Sequence, residues 1–202
     1  IDEVLEETGQ SSERERSLPA HVMVYYVIAM ALYMQVAYRE VLRCLLEGLR
    51  WVLGPEVELP VAGKSGISQA RSRLGPEPLK LLYEGVVAPI AVKDTQGAWY
   101  RQWRTVSLDG TTVAVADTVD NEQAFGRPGQ SRGKAAQPLV RLVSLVESGT
   151  HVLFGARIAG YHTGEKTMAK QILPGLRRGM LCIADRNLYS FKLWRKARTN
   201  GA

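Results

Sequence analysis

Apolar residues in this chain recur first with the period of a helix and later with that of a strand. Val22–Ala37 is apolar almost all round. Ser17-Leu-Pro-Ala20 before it offers an N-cap and an early proline, so a buried helix is predicted. The 16 residues of that run include Gln35. They fall short of the roughly 20 apolar residues that cross a bilayer. Tyr38–Val52 continues with Val41, Leu42, Leu45, Leu46 and Leu49 on one helical face and Arg39, Glu40, Arg43 and Glu47 outside. The pair forms either a helix-turn-helix or a plain helical hairpin. Gly54–Pro60 is rich in breakers. Lys64–Leu74 predicts a short helix capped by Ser65 or Ser68 and ended by Gly75-Pro76. Glu77–Val92 predicts an amphipathic helix through Leu79, Leu82, Val86 and Val87.

From Trp99 the period shortens. Trp103–Leu108 and Thr111–Ala116 predict two strands, followed by a long polar loop over Asp117–Lys134. Leu139–Val146 and His151–Ala159 predict a hairpin turning at Glu147–Thr150. Helix Glu165–Leu173, strand Met180–Ala184 and helix Asn187–Ala197 complete the chain. Strands followed by a helix and a further strand predict that Met180–Ala184 returns parallel beside Trp103–Leu108. The fold class expected is α/β, a mixed sheet with flanking helices preceded by a small all-helical domain. The expected division is a flexible acidic tail at 1–17, a helical and connecting region at 18–97, and a core at 98–202.

Composition refines this picture. The 202 residues are 46% hydrophobic and 23% charged, an ordinary globular balance. The net charge of +6 is unevenly placed, because residues 1–17 hold six acids against two arginines. The remainder is therefore more basic than the whole, which favours a polyanionic partner. Cys44 and Cys182 form no CxxC pair, and His21, His151 and His162 lack ligand spacing. The acidic start does not resemble a secretory signal. The first residue, Ile1, and the ending Asn200-Gly-Ala202 suggest part of a longer protein.

The candidate chemistry lies in two aspartates. Asp109 follows Thr105, Val106 and Leu108, and Asp185 follows Met180–Ala184. A carboxylate at the end of a buried strand needs a cap, an arginine or a cation to offset its burial. Two strands that each deliver one suggest a shared metal. Lys64, Arg71 and Arg73 beside serines suit either phosphate contact or a solvated helix face. Arg132 and Lys134, with Arg127, make the glycine-rich stretch Gly126–Lys134 either a loop over nucleic acid or an ordinary solvated loop. It lacks the order of a Walker phosphate loop. Arg186 suits either a phosphate contact or a structural ion pair.

Ser107-Leu-Asp-Gly-Thr111, Ala124-Phe-Gly-Arg-Pro-Gly129, Tyr161-His-Thr-Gly-Glu165 and Ala184-Asp-Arg-Asn-Leu-Tyr-Ser190 occur in this order, after a helical segment Leu18–Leu49 containing Tyr38-Arg-Glu-Val-Leu42. In these segments the chain resembles the DDE transposases of the fourth insertion-sequence family, which cut DNA through a hairpin intermediate. The resemblance implies an RNase H-like core in which Asp109 and Asp185 are the first two catalytic acids. It implies metal-dependent phosphoryl transfer that cuts and rejoins DNA, with two Mg²⁺ (or Mn²⁺) ions, Asp109 bridging both and Asp185 binding one. The implied partners are double-stranded DNA, as terminal inverted repeats and target, and a second copy of the chain in a synaptic complex. The implied location is the bacterial cytoplasm at the nucleoid, with no membrane. The third acid, a Glu in a Tyr-Arg-Glu signature, is expected beyond Ala202. Glu147 and Glu165 precede Asp185 and stand in the wrong order to replace it. The 202-residue chain by itself is therefore expected to be inactive. Two other readings stay open: a non-catalytic DNA-binding or dimerising module, and an RNase H-like nuclease of another kind.

Overall fold

The computed structural model describes residues 1–14, 18–53, 61–130, 133–134 and 137–202. They form two compact units, Ile1–Val86 and Val87–Ala202.

The first unit holds helices α1 (Asp2–Glu7), α2 (Ala20–Leu32), α3 (Tyr38–Leu53), α4 (Lys64–Leu74) and α5 (Glu77–Val86). The segment expected to be a flexible tail thus contributes a helix, because Leu5 supplies an apolar residue that buries completely among its acids. Helix α2 buries Val22, Met23, Val24, Tyr26 and Ala29 around most of its circumference and exposes Tyr25, Ile28 and Leu32 along one narrow stripe. It ends five residues earlier than the apolar run suggested. Among the described residues no helix is long and apolar enough to cross a membrane. The predicted cap Ser17 lies outside the described residues. Ser12 Oγ instead accepts a hydrogen bond from the Ala20 amide at 2.9 Å. Tyr26 donates its hydroxyl to the Tyr38 carbonyl at 3.0 Å and joins α2 to α3, and burial pushes its phenol pKa up. Gly63, not a serine, caps α4. Helix α5 stops at Val86, short of the expected Val92, since Pro89 disfavours helical backbone at the residue before it.

The second unit is built on one sheet. Its strands are β1 (Trp99–Tyr100), β2 (Trp103–Ala114), β5 (Leu139–Glu147), β6 (Leu153–Gly160) and β7 (Met180–Ala184). Strands β2, β5 and β6 form an antiparallel meander, and β7 returns parallel to β2 on its other side. Between β2 and β5 lie α6 (Val119–Phe125) and the small hairpin β3–β4 (Gly129–Gln130, Gly133–Lys134), where a plain polar loop was expected. Thr118 caps α6 by accepting the Asn121 amide at 3.2 Å. Helices α7 (Glu165–Ile172) and α8 (Phe191–Thr199) follow the meander. Their Met168, Ala169, Ile172 and Leu193 close the core over Val106, Leu108, Val143 and Leu145. Pairing of β5 with β6 shifts between Ser144 and Leu145, where Gly155 takes φ +73° and is the extra residue of a bulge.

Residues 88–97 belong with this unit. Glu147, fully buried at the end of β5, accepts the Ile90 and Ala91 amides at 3.1 and 2.9 Å, the Thr150 hydroxyl and the Arg104 guanidinium. Arg104 also lies 4.8 Å over the Trp99 ring. Gly149 in the adjoining turn has no room for a side chain, since a Cβ would meet the Ala98 amide nitrogen at 2.6 Å.

Candidate active site

Strand β2 was expected to end at Leu108 and a second strand to begin at Thr111. It instead runs unbroken through Gly110 to Ala114, paired throughout with β5. What ends at Leu108 is the pairing with β7, whose last register pair is Leu108↔Ala184. The next residue on each strand is an aspartate. Asp109 and Asp185 therefore stand side by side where two parallel strands part, with neighbouring strands about 4.8 Å apart. Both are exposed.

Backbone amides hold each carboxylate. The Gly110 amide is the first on that side of β2 beyond the β7 pairing, and it bonds to Asp109 Oδ1 at 2.8 Å. Asp185 caps the 3-10 turn Arg186–Leu188, its Oδ1 accepting the Asn187 amide. Each acid thus has a local structural role that uses one oxygen. Among the described residues the second oxygen has no hydrogen-bond partner.

Further side chains lie beside Asp109: Tyr161 and Glu165 from one of the quoted segments, and Arg141, which the sequence did not single out. A Cβ on Gly110 would lie 3.2 Å from Glu165 Cδ, so the first residue of α7 packs directly on the backbone beside Asp109. Glu165 pairs with Arg141 of β5, whose partner in register is Thr112. Arg141 also lies 5.3 Å over the Tyr161 ring and donates Nε to the Tyr161 carbonyl at 3.3 Å. The Tyr161 amide bonds to the Phe125 carbonyl at 2.6 Å. Gly126, at φ +79°, leaves no space for a Cβ, which would sit 2.7 Å from His162 Cδ2. Three of the four quoted segments thus contact one another in series. The fourth joins Ser107–Thr111 through the β2–β7 register. Their convergence depends on non-local pairing, which no local sequence period reveals.

The cationic candidates fall in different places. Lys64, Arg71 and Arg73 are exposed on α4 in the first unit. Arg71 lies 5.9 Å over the Tyr38 ring, and Arg71 and Arg73 occupy the last turn, where cations also suit the helix dipole. Arg132 lies outside the described residues, and of Lys134 only the backbone is described, in β4. Arg127 of the same stretch is drawn inward by Asp117 and Glu122, which keep its guanidinium protonated. Arg186 is exposed and forms no ion pair among the described residues, so the structural-pair reading is not realised there.

Carboxylate oxygens are hard donors suited to Mg²⁺ or Mn²⁺, and one or two carboxylates hold such ions with water and phosphate completing the shell. The two aspartates fit that role as a partial set. Among the described residues no group of three or more His, Cys, Asp or Glu side chains is placed to hold a metal. Cys182, expected as a small core residue, is half-buried on β7, and burial pushes its thiol up to about 11.

Comparison with known proteins agrees with the resemblance. A family profile described as "Insertion element 4 transposase N-terminal" matches residues 1–84. The transposase InsG for insertion sequence element IS4 of Escherichia coli K12 is 26% identical over 196 residues, 96% of this chain and 42% of the relative. InsZ of the same strain, a provisionally named transposase, is 22% identical over 191 residues, 94% of this chain and 61% of the relative. The chain spans about half the length of these relatives.

Proposed function

We propose, from the chain's similarity to insertion element 4 transposases, that it acts in a DNA transposase that cuts and rejoins element ends by metal-dependent phosphoryl transfer. The observation that carries this is the register Leu108↔Ala184, after which Asp109 and Asp185 emerge together. The meander β2–β5–β6, the helix α7 and the parallel return of β7 support an RNase H-like core.

Asp109 and Asp185 would hold the divalent ions. When bound, such ions stabilise the attacking and leaving oxygens of an in-line displacement. The Gly110 and Asn187 amides fix the carboxylates by occupying one oxygen of each. Arg186, in the turn that follows Asp185, would meet a phosphate there. Lys64, Arg71 and Arg73, with Arg132 and Lys134, would contact the duplex backbone, giving binding that weakens steeply with salt. A second copy of the protein is assigned to the synaptic complex.

Two measurements test this. Mn²⁺ titrated into the 202-residue chain should bind weakly, and Asp109→Asn or Asp185→Asn should remove that binding. Titration curves unchanged by both substitutions would sink the assignment. In a gel shift, DNA ending in the element's terminal repeats should bind more tightly than scrambled duplex. The exposed Lys64, Arg71 and Arg73 of α4 also suit a second reading, a DNA-binding module without chemistry. The chain alone should then neither nick nor join DNA in Mg²⁺. Cleavage abolished by Asp109→Ala would refute that expectation.

A further inference from the structure

Immediately after Asp185 the surface changes character. Residues 186–202 contain Arg186, Lys192, Arg195, Lys196 and Arg198 and no acid. They also expose Tyr189 (64%), Phe191 (62%) and Trp194 (47%). Exposed rings that adjoin one another, unlike singly scattered ones, mark an interaction surface. Helix α8 is firmly seated: Leu188 and Leu193 are buried, Ser190 Oγ accepts the Leu193 amide at 3.2 Å, and Lys196 Nζ reaches the Lys170 carbonyl at 2.7 Å. At 3.6 residues per turn, Phe191, Trp194, Arg195 and Arg198 share the opposite, outer stripe. There the Phe191 and Trp194 rings lie 5.7 Å apart and tilted by 34°, and the Arg198 guanidinium covers Trp194 at 5.1 Å.

Resting on the transposase reading, we infer that the outer stripe of α8 binds unpaired DNA beside Asp185, its rings stacking on bases and its cations following the phosphates. Charge selects a polyanion, since the stretch is wholly basic. The rings select a single strand, because bases paired in a duplex keep their faces covered while unpaired bases offer theirs to aromatic side chains. Arg186 and Arg195, on the same basic stretch, supply phosphate contacts. The partner is therefore a single-stranded or frayed stretch, distinct from the duplex assigned to α4.

The test uses the whole chain and a fluorescein-labelled thymidine strand of about 15 nucleotides, the range a single site of this kind covers. Trp194→Ala and Phe191→Ala should each weaken binding by about tenfold, as expected for loss of one stacked base. Trp194→Phe, which keeps a ring, should recover most of it. Duplex of the same length should lose less than about twofold in each variant. The strand should also quench tryptophan emission, and Trp194→Phe, which leaves Trp51, Trp99 and Trp103, should lose most of that quenching. Circular dichroism of every variant separates lost fold from lost contact. Unchanged single-strand affinity in both alanine variants, or an equal loss for duplex, overturns the inference while leaving the transposase reading intact. Failure to bind any polynucleotide counts against both.

Discussion

At the start of β2, Arg104 meets a carboxylate sealed from solvent. Glu147 is 0% exposed and receives four donors, from Arg104, Thr150, Ile90 and Ala91. Five residues along the same strand, Asp109 stands in solvent with one oxygen on a backbone amide and the other, among the described residues, without a partner. The two carboxylates differ in what the fold requires of them. A buried charge must be fully satisfied and then holds the structure, whereas an exposed, half-satisfied one adds little stability and keeps a lone pair for a ligand.

The sharpest way to break this comparison is Glu147→Ala. Stranding Arg104 and two amides should cost about 3–5 kcal/mol, read as a fall in the urea midpoint. Asp109→Ala should change stability by no more than about 0.5 kcal/mol. Equal losses would show that the exposed acid is structural after all. A second test is acid. Burial alone would raise the Glu147 carboxyl, but the Thr150 hydroxyl, the Ala91 amide, Arg104 and the Ile90 amide outweigh it and hold it below the ordinary range. Its contribution is therefore complete above the unfolded value of about 4.3 and lost as pH falls through the lower folded value. The midpoint should drop between those limits, and Glu147→Gln should flatten the profile; a parallel profile would remove Glu147 as its cause.

Smaller effects distinguish the surroundings. Gly149→Ala drives a Cβ against the Ala98 backbone and should cost about 1–3 kcal/mol in thermal unfolding. Gly110→Ala meets only the Glu165 side chain at 3.2 Å, which can yield, so about 1 kcal/mol or less is expected. Asp185→Asn, like Asp109→Ala, should stay within about 0.5 kcal/mol, since the amide oxygen can still accept from Asn187.

Much of this was legible because local patterns were strong. Met180–Ala184 is five apolar residues between Gly179 and Asp185, and the structure places β7 over those residues. Helix α7 begins at the predicted Glu165 for the same reason. Gly110 misled, because a glycine inside a strand reads as a break while here it admits Glu165. Helix α6 was hidden, since it buries no residue and so leaves no apolar period, its sign being the Thr118 cap. The aspartate pair could be read from two similar strand ends. Arg141, Tyr161 and Glu165 could not, because only the β2–β5 pairing and the docking of α7 bring them to Asp109.

The parting of β7 from β2 also divides one strand by the rate at which its amides trade hydrogen for deuterium. The Arg104 amide bonds to the Gly179 carbonyl, so even-numbered amides of β2 face the β7 side. Those of Val106 and Leu108 lie within the paired stretch and should exchange only when the sheet opens. Thr112 and Ala114 point the same way past the end of β7, and their amides should exchange orders of magnitude faster. Gly110, held by the Asp109 carboxylate, should fall between, and a cation that draws Asp109 away would release its amide. One proton would then report on occupancy of the site without any DNA being cut.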